Sequence, residues 1–266
     1  LLVLGSSFTA ERALTQNGYN IWPSEFSLDA YKLVFVSGDI PQAYLITVGT
    51  TIVGTFFSMV FTCGAAYAMS VKNFKSRGVL ALFIYFTMLF NGGLVANYLL
   101  TTKFLHLQNN ILVLLLPSFC NAWNILLMRN FFSGIPASLA ESAKIDGAND
   151  ITILIKIIIP ISLPGIATIG LFYALTYWNE WYKCLLYIDS SHSQYYTLQY
   201  LIQQILRQVN YAANQPAEAV GLNSLTLPTY AYRMATIIVA IGPIILLYPF
   251  LQKYFVQGLT VGSVKG

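Results

Sequence analysis

Apolar runs of membrane-spanning length alternate with polar interruptions along most of this chain. The runs at 42–70, 79–100, 111–132, 165–188 and 230–250 can each cross a roughly 30 Å hydrocarbon core as a helix, with tilt where they are long. The opening LLVLG, residues 1–5, reads as the last turns of a further, incomplete span. The pattern predicts an all-α fold, a polytopic transmembrane helical bundle of six spans forming a single domain over 1–266. Residues 6–41 read as an ordered external loop in which Tyr19, Trp22 and Phe26 suit the bilayer interface. Residues 189–230 read as a soluble-looking external region. LQYLIQQILRQV in it looks helical, and Pro216 and Pro228 punctuate it.

One interruption is too long and too structured for a turn. Residues 133–164 read SGIPASLAESAKIDGANDITILIKIIIPISLP. Pro136 suits a first helical turn, and Ala137 to Ile145 follows with good helix formers. Gly147 stands where a helix stops in the left-handed conformation. Asn149 or Asp150 can cap a second helix, Ile151 to Ile159, which Pro160 closes. A helix–turn–helix of this size between spans is expected to act outside the membrane.

Composition agrees with the pattern. The chain is 56% hydrophobic and 9% charged, against about 25% charged in soluble domains. The net charge of +4 is spread too thinly for nucleic-acid binding. Lys72, Lys75 and Arg77 crowd one short loop, which places that loop in the cytoplasm. The 133–164 loop then falls on the cytoplasmic side too, as does the tail with Lys253 and Lys265. Cys63, Cys120 and Cys184 fall in apolar spans as buried thiols without metal spacing.

Within the spans, Thr50, Gly54, Ser58, Thr62, Ala66 and Ser70 recur every fourth residue and suit close helix packing or a pore lining. Asn91-Gly92-Gly93 weakens the third span and allows a bend; Pro117 should kink the fourth. Asn121 and Asn124 serve as interhelical glue or as a sugar-facing pair, and Arg129 can snorkel to the cytoplasmic surface. The fifth span holds Tyr173 and the cluster Tyr177, Trp178, Asn179, Glu180, Trp181, Tyr182 and Lys183. Glu180 and Lys183 are three apart and can pair on a helix face. The cluster suits an interfacial aromatic belt or a hydroxyl-binding wall, since aromatics stack on sugar faces and amides bond hydroxyls.

The loop also carries a resemblance. Glu141-Ser142-Ala143, three residues, Gly147, nine residues and Ile157-Ile158-Ile159-Pro160 resembles the EAA signature of ABC importer permeases. Ser142 stands for the usual Ala and Ile159 for the usual Leu. The run Ala143 to Ala148, with Ile145 and Asp146 inside it, and the tail QKYFVQGLTVGSVKG are similar to the maltose-type carbohydrate class, most of all its second permease subunit. FTMLFNGGLVANYLL, LLMRNFFSGIP and LLYPFLQKYF resemble a branch for polysaccharide-derived oligosaccharides, alginate- and pectin-type uronates among them.

The resemblance implies a multi-pass permease of the bacterial cytoplasmic (inner) membrane. It implies pairing with a second, homologous permease, on two ATP-binding cassette subunits, with an extracytoplasmic solute-binding protein delivering the oligosaccharide. Glu141, Ser142, Ala143, Ile145, Asp146, Gly147 and Ala148 would couple to the ATPase. Asn91, Asn121, Asn124, Tyr173, Tyr177, Trp178, Asn179, Glu180 and Lys183 are the candidates for the translocation path. No Walker sequence, catalytic set or metal set is present, so the chain is expected to be no enzyme and to hold no cofactor, with ATP and Mg on partner subunits. Two alternatives remain at this stage: an ion-gradient-driven sugar carrier using Glu180, and an intramembrane enzyme using Glu180 or His106.

Overall fold

The structure, a computed structural model, describes residues 1–36, 39–213, 230–242 and 245. The expectations for Pro216, Pro228, Lys253, Lys265 and the end of the 230–250 run lie outside the described residues. The described residues are mainly helical, with one antiparallel bridge between Thr9 and Phe26. They divide between two compact units, one holding Leu1–Val48 and the described residues from Asn179 onward, the other Gly49–Trp178.

Three short helices open the chain: α1 (Leu2–Ser7), α2 (Glu11–Asn17) and α3 (Asp29–Val36). The Glu11 carboxylate accepts from the backbone N–H groups of Tyr230 (2.9 Å) and Ala231 (2.8 Å). This explains why a loop rich in polar residues is ordered. The long helix α4 (Asp39–Ser70) follows. Its stretch Ile40–Ser70 is, among the described residues, the one helix long and apolar enough to cross a membrane unbroken.

The next three apolar segments are bent pairs. Helix α5 (Arg77–Leu89) and α6 (Gly93–Leu99), which continues as a π-helical turn to Phe104, meet at 115°. The Asn91-Gly92-Gly93 bend is therefore a full break. Phe90 is extended, Gly93 has φ +80°, and the Asn91 Oδ1 accepts from the Gly93 N–H at 2.9 Å. Helix α7 (Leu112–Leu115) passes through a 3₁₀ turn at Pro117 into α8 (Ala122–Ser133) with a 49° bend, as the proline predicts. Cys120 sits at that kink and is exposed, unlike buried Cys63 and Cys184; the bend turns it out of the packed face.

The interhelical loop carries α9 (Ala137–Ile145), α10 (Asp150–Ile153) and, after a π-helical turn over Leu154–Ile158, α11 (Ile159–Ile161). Pro160 therefore does not close the second helix. The wider register before it removes the clash a proline ring has with the carbonyl four residues back. At Ser162 the chain bends by 90° into α12 (Leu163–Trp178). The 165–188 run is not one helix either. It breaks at 179–181 and resumes as α13 (Tyr182–Tyr187), followed by a 3₁₀ turn, α14 (Leu198–Ala213) and an apolar helix α15 (Tyr230–Gly242). Helix α14 is strongly amphipathic, as LQYLIQQILRQV suggests; Leu198, Leu201 and Ile202 are buried and Arg207 is exposed.

The core of the Gly49–Trp178 unit gathers Cys63, Ala66 and Tyr67 of α4, Met128 and Phe132 of α8, Ile153 and Ile158 of the loop, and Ile169, Tyr173 and Tyr177 of α12. Ala140, Ala143 and Ala148 pack against it. The loop's inner face is thus part of the bundle's own hydrophobic core.

Candidate functional site

The turn between α9 and α10 is fixed by local chemistry. Gly147 has φ +85°, a conformation that costs other L-residues about 1–2 kcal/mol. The Ala148 N–H donates to the Ala143 carbonyl (2.9 Å) and the Gly147 N–H to the Lys144 carbonyl (3.1 Å). These two bonds are the Schellman pair, which satisfies carbonyls that a helix end otherwise leaves bare. Pro136 sits one position before the helix, at its N-cap. Of the two candidate caps, Asn149 is the one used: its Oδ1 accepts from the Thr152 N–H at 2.8 Å. Asn149→Ala is expected to cost about 1 kcal/mol, read as a lower thermal midpoint of the purified protein; an unchanged midpoint would mean the cap does not hold α10.

An ion pair closes the turn, Lys144 Nζ to Asp150 Oδ1 at 2.9 Å. The Tyr67 hydroxyl donates to the same carboxylate at 3.3 Å, tying the loop to the end of α4. The Lys144 ammonium holds the Asp150 carboxyl below the usual carboxylate range, against a smaller opposing effect of burial. A depressed carboxylate stabilises the fold above its unfolded value of about 3.9 and loses that contribution as pH falls through the lowered folded value. Both side chains are largely exposed, 48% and 62%, so the contribution is small. Asp150→Asn is expected to change stability by no more than about 0.5 kcal/mol at neutral pH. A larger drop in denaturant midpoint would give this pair a weight the geometry does not.

The outer face of the turn is apolar where a solvated loop would be polar. Ile145 is 87% exposed, with Leu139 and Ile151 also exposed. Glu141, Ser142 and Asp146 lie beside them, also exposed, while Ala143 and Ala148 turn inward. Leu139, Ile151 and Tyr67 were not singled out from the sequence. Apolar residues on the polar loop are the signal for the first two; Tyr67 has none locally, because its partner lies 83 residues away.

The small-residue stripe of α4 meets two tyrosines of α12. Tyr173 and Tyr177 are each 1% exposed. The Tyr173 hydroxyl bonds Thr62 Oγ1 at 2.7 Å and accepts from the Asn121 N–H at 3.2 Å. The Tyr177 hydroxyl bonds Ser58 Oγ at 3.0 Å and donates to the Leu115 carbonyl at 3.2 Å. Gly54 lies against the Tyr177 ring; a Cβ there would stand 2.5 Å from Cζ. These bonds join α4, the α7–α8 kink and α12, and they answer the stripe's purpose as close packing.

The amides act locally. Asn121 Oδ1 caps α8 by accepting from the Asn124 N–H at 3.0 Å, and Asn124 is buried. Asn91 is exposed at the α5–α6 break. Trp178 is buried and Asn179 exposed. Glu180 and Lys183 do pair, but across the start of α13: Glu180 Oε1 accepts from the Lys183 N–H at 2.9 Å while Oε2 meets Nζ. Their side chains are only 10% and 16% exposed. Asn179, Glu180 and Lys183 belong to one unit and Asn91, Asn121, Asn124, Tyr173, Tyr177 and Trp178 to the other.

Known proteins are similar to this chain along most of its length. A permease protein of the polygalacturonan/rhamnogalacturonan transport system of Bacillus subtilis (strain 168), YtcP, is 40% identical over 264 residues, covering 99% of this chain and 91% of that protein. Protein LplC of the same organism is 37% identical over 267 residues, covering 100% and 88%. A chain in the crystal structure of a bacterial ABC transporter involved in the import of the acidic polysaccharide alginate superposes with a TM-score of 0.82 at 32% identity, covering 96% of this chain and 89% of that one. None of these similarities supports an ion-gradient carrier built on Glu180 or an enzyme built on His106. Residues 58–261 match the family described as binding-protein-dependent transport system inner membrane component, whose members work with ATP-hydrolysing and binding-protein partners. The chain belongs to that family: it is a non-enzymatic, membrane-embedded permease subunit of an ABC importer.

Proposed function

We propose that this permease imports acidic oligosaccharides released from plant or algal polysaccharides. The relatives named for polygalacturonan and for alginate support the acidic class, since both polymers are polyuronates. The observation that carries the coupling role is the two-faced 133–164 loop, with its inner face in the bundle core and Leu139, Ile145 and Ile151 presented outward. A short helix held this way transmits a rigid-body movement, which a loose loop does not.

In this reading α9 docks in a cytoplasmic cleft on an ATPase subunit. Glu141, Ser142 and Asp146 supply polar contacts around the Ile145 anchor, and Gly147, Ala143 and Ala148 set the helix's aim. The full assembly pairs this chain, as one transmembrane domain, with a homologous permease. Two ATPase subunits hold ATP and Mg, and a solute-binding protein delivers the sugar. Within the Gly49–Trp178 unit, Asn91 and Asn121 are the amides offered to sugar hydroxyls, and Tyr173, Tyr177, Asn124 and Trp178 brace the helices that carry them. Asn179 and the Glu180–Lys183 pair are the candidates of the other unit.

The test is ATPase activity of the reconstituted complex with its binding protein, challenged with uronate and with neutral oligosaccharides. Stimulation by uronates is expected. Stimulation by neutral sugars alone would overturn the acidic assignment.

A further inference from the structure

The cytoplasmic edge of the α4–α5 connection carries cations that no described carboxylate neutralises. Lys72 and Lys75 lie exposed in the loop, and Arg77 is exposed where it opens α5. Among the described residues none of them forms an ion pair with a carboxylate. A fourth cation joins them from α8. Leu80, Ala81 and Ile84 of α5 pack with Ile125 and Leu126 of α8 and with Met69 near the end of α4. Arg77 lies three residues before Leu80, and Arg129 three residues after Leu126. Tyr67, in the last turn of α4, bonds Asp150 of the loop that follows α8, so the α4–α5 loop and the end of α8 lie toward the same side. Arg129 keeps its Nε buried there without a hydrogen-bond partner, a costly state for a charged group.

Directly beyond these cations the surface is apolar. Phe74 is exposed in the loop itself, and Val79, Leu82 and Phe83 are strongly exposed on the first turns of α5. Cations at one level and a greasy wall from that level outward match one molecule shape, a negative headgroup with acyl chains attached. A soluble anion would use the cations and leave the wall bare. A soluble docking protein would bring carboxylates, but would leave bare Val79, Leu82 and Phe83, which stand exposed on a helix of an apolar segment.

We propose that the α4–α5 loop and the end of α8 form a binding site for an acidic phospholipid of the cytoplasmic leaflet. Lys72, Lys75 and Arg77 hold the phosphate region, Arg129 reaches it from beneath, and Val79, Leu82 and Phe83 line an acyl chain. Basic pockets between helices on this side of a membrane suit such headgroups, and each cation near the surface adds affinity. The inference rests on the orientation proposed above.

The test uses the complete importer complex in phosphatidylcholine bilayers with and without phosphatidylglycerol, counting co-purified phosphatidylglycerol by native mass spectrometry. Wild type is expected to retain the acidic lipid. The K72Q/K75Q/R77Q variant should retain it on the order of a hundredfold more weakly, and Arg129→Gln, which leaves the loop's charges in place, about fivefold more weakly. Equal retention by wild type and both variants would overturn the site. So would retention that soluble glycerol phosphate displaces, which marks a free-anion site, or a triple variant that sheds the ATPase with its lipid unchanged, which marks a protein interface. Labelling Asn73→Cys with an impermeant thiol reagent from each side of sealed vesicles tests the orientation separately.

Discussion

Replacing Gly147 by valine is expected to lower ATP-driven sugar uptake by about tenfold or more, and replacing it by asparagine to leave most of that uptake intact. A Cβ at Gly147 meets nothing within 4 Å, so space is not the obstacle. The obstacle is φ of +85°. A β-branched residue loses at least the roughly 1–2 kcal/mol left-handed penalty, and a loss of about 1.4 kcal/mol already shifts an equilibrium tenfold. The chain escapes by giving up the Ala148-to-Ala143 and Gly147-to-Lys144 bonds, which changes the angle between α9 and α10. Asparagine tolerates the left-handed region and keeps them. The membrane part is expected to stay folded in both variants. Uptake equal in the valine and asparagine variants would show that the turn's conformation does not matter for coupling.

Gly54→Leu is expected to destabilise the permease by about 2–4 kcal/mol. Here crowding dominates, since a Cβ at Gly54 would stand 2.5 Å from the Tyr177 ring. The Tyr177 ring has no room to retreat, being 1% exposed with its hydroxyl bonded to Ser58 and to the Leu115 carbonyl. Moving the ring also strips those bonds. Gly64 is a control on the same helix: a Cβ there meets nothing within 4 Å, so Gly64→Ala should be neutral or slightly stabilising, since glycine weakens a helix interior. The same Gly54→Leu change in a Tyr177→Ala background should cost far less, because the clash has gone. Thermal unfolding of the purified proteins reads all of these. An equal penalty for Gly54→Leu with and without Tyr177 would place the clash elsewhere.

Features governed by neighbours in sequence were legible before the structure. Gly147, Asn149 and the Pro117 kink follow from rules spanning four or five residues, and the structure has all three. The stripe from Thr50 to Ser70 suited either a close-packed face or a pore lining, and the structure packs it against α12. Its partners did not show, because Tyr173 and Tyr177 stand 111 and 119 residues away from Thr62 and Ser58. The helix breaks were harder to read. Gly92-Gly93 permits a bend of any size, and nothing in the neighbouring residues specifies the 115° that it reaches. Pro160 looked like a stop because the rule assumes α register. The π turn at Leu154–Ile158 lifts that assumption, and burial of Ile153 and Ile158 holds the turn in place. The Glu180–Lys183 pairing was readable from its spacing. The break beneath it was not, since Asn179-Glu180 carries no glycine or proline.

Cross-linking from α9 tests the coupling role most directly. Ile145→Cys would be placed in a Cys120→Ser background, since Cys63 and Cys184 are buried and Cys120 is exposed. The complete complex would then be treated with short bifunctional thiol reagents, against ATPase subunits carrying single cysteines along their membrane-facing cleft. The account predicts a cross-link between this chain and an ATPase subunit, and loss of uptake that returns when a cleavable cross-link is opened. A cross-link to the solute-binding protein instead, or none to the ATPase while uptake proceeds, would contradict it.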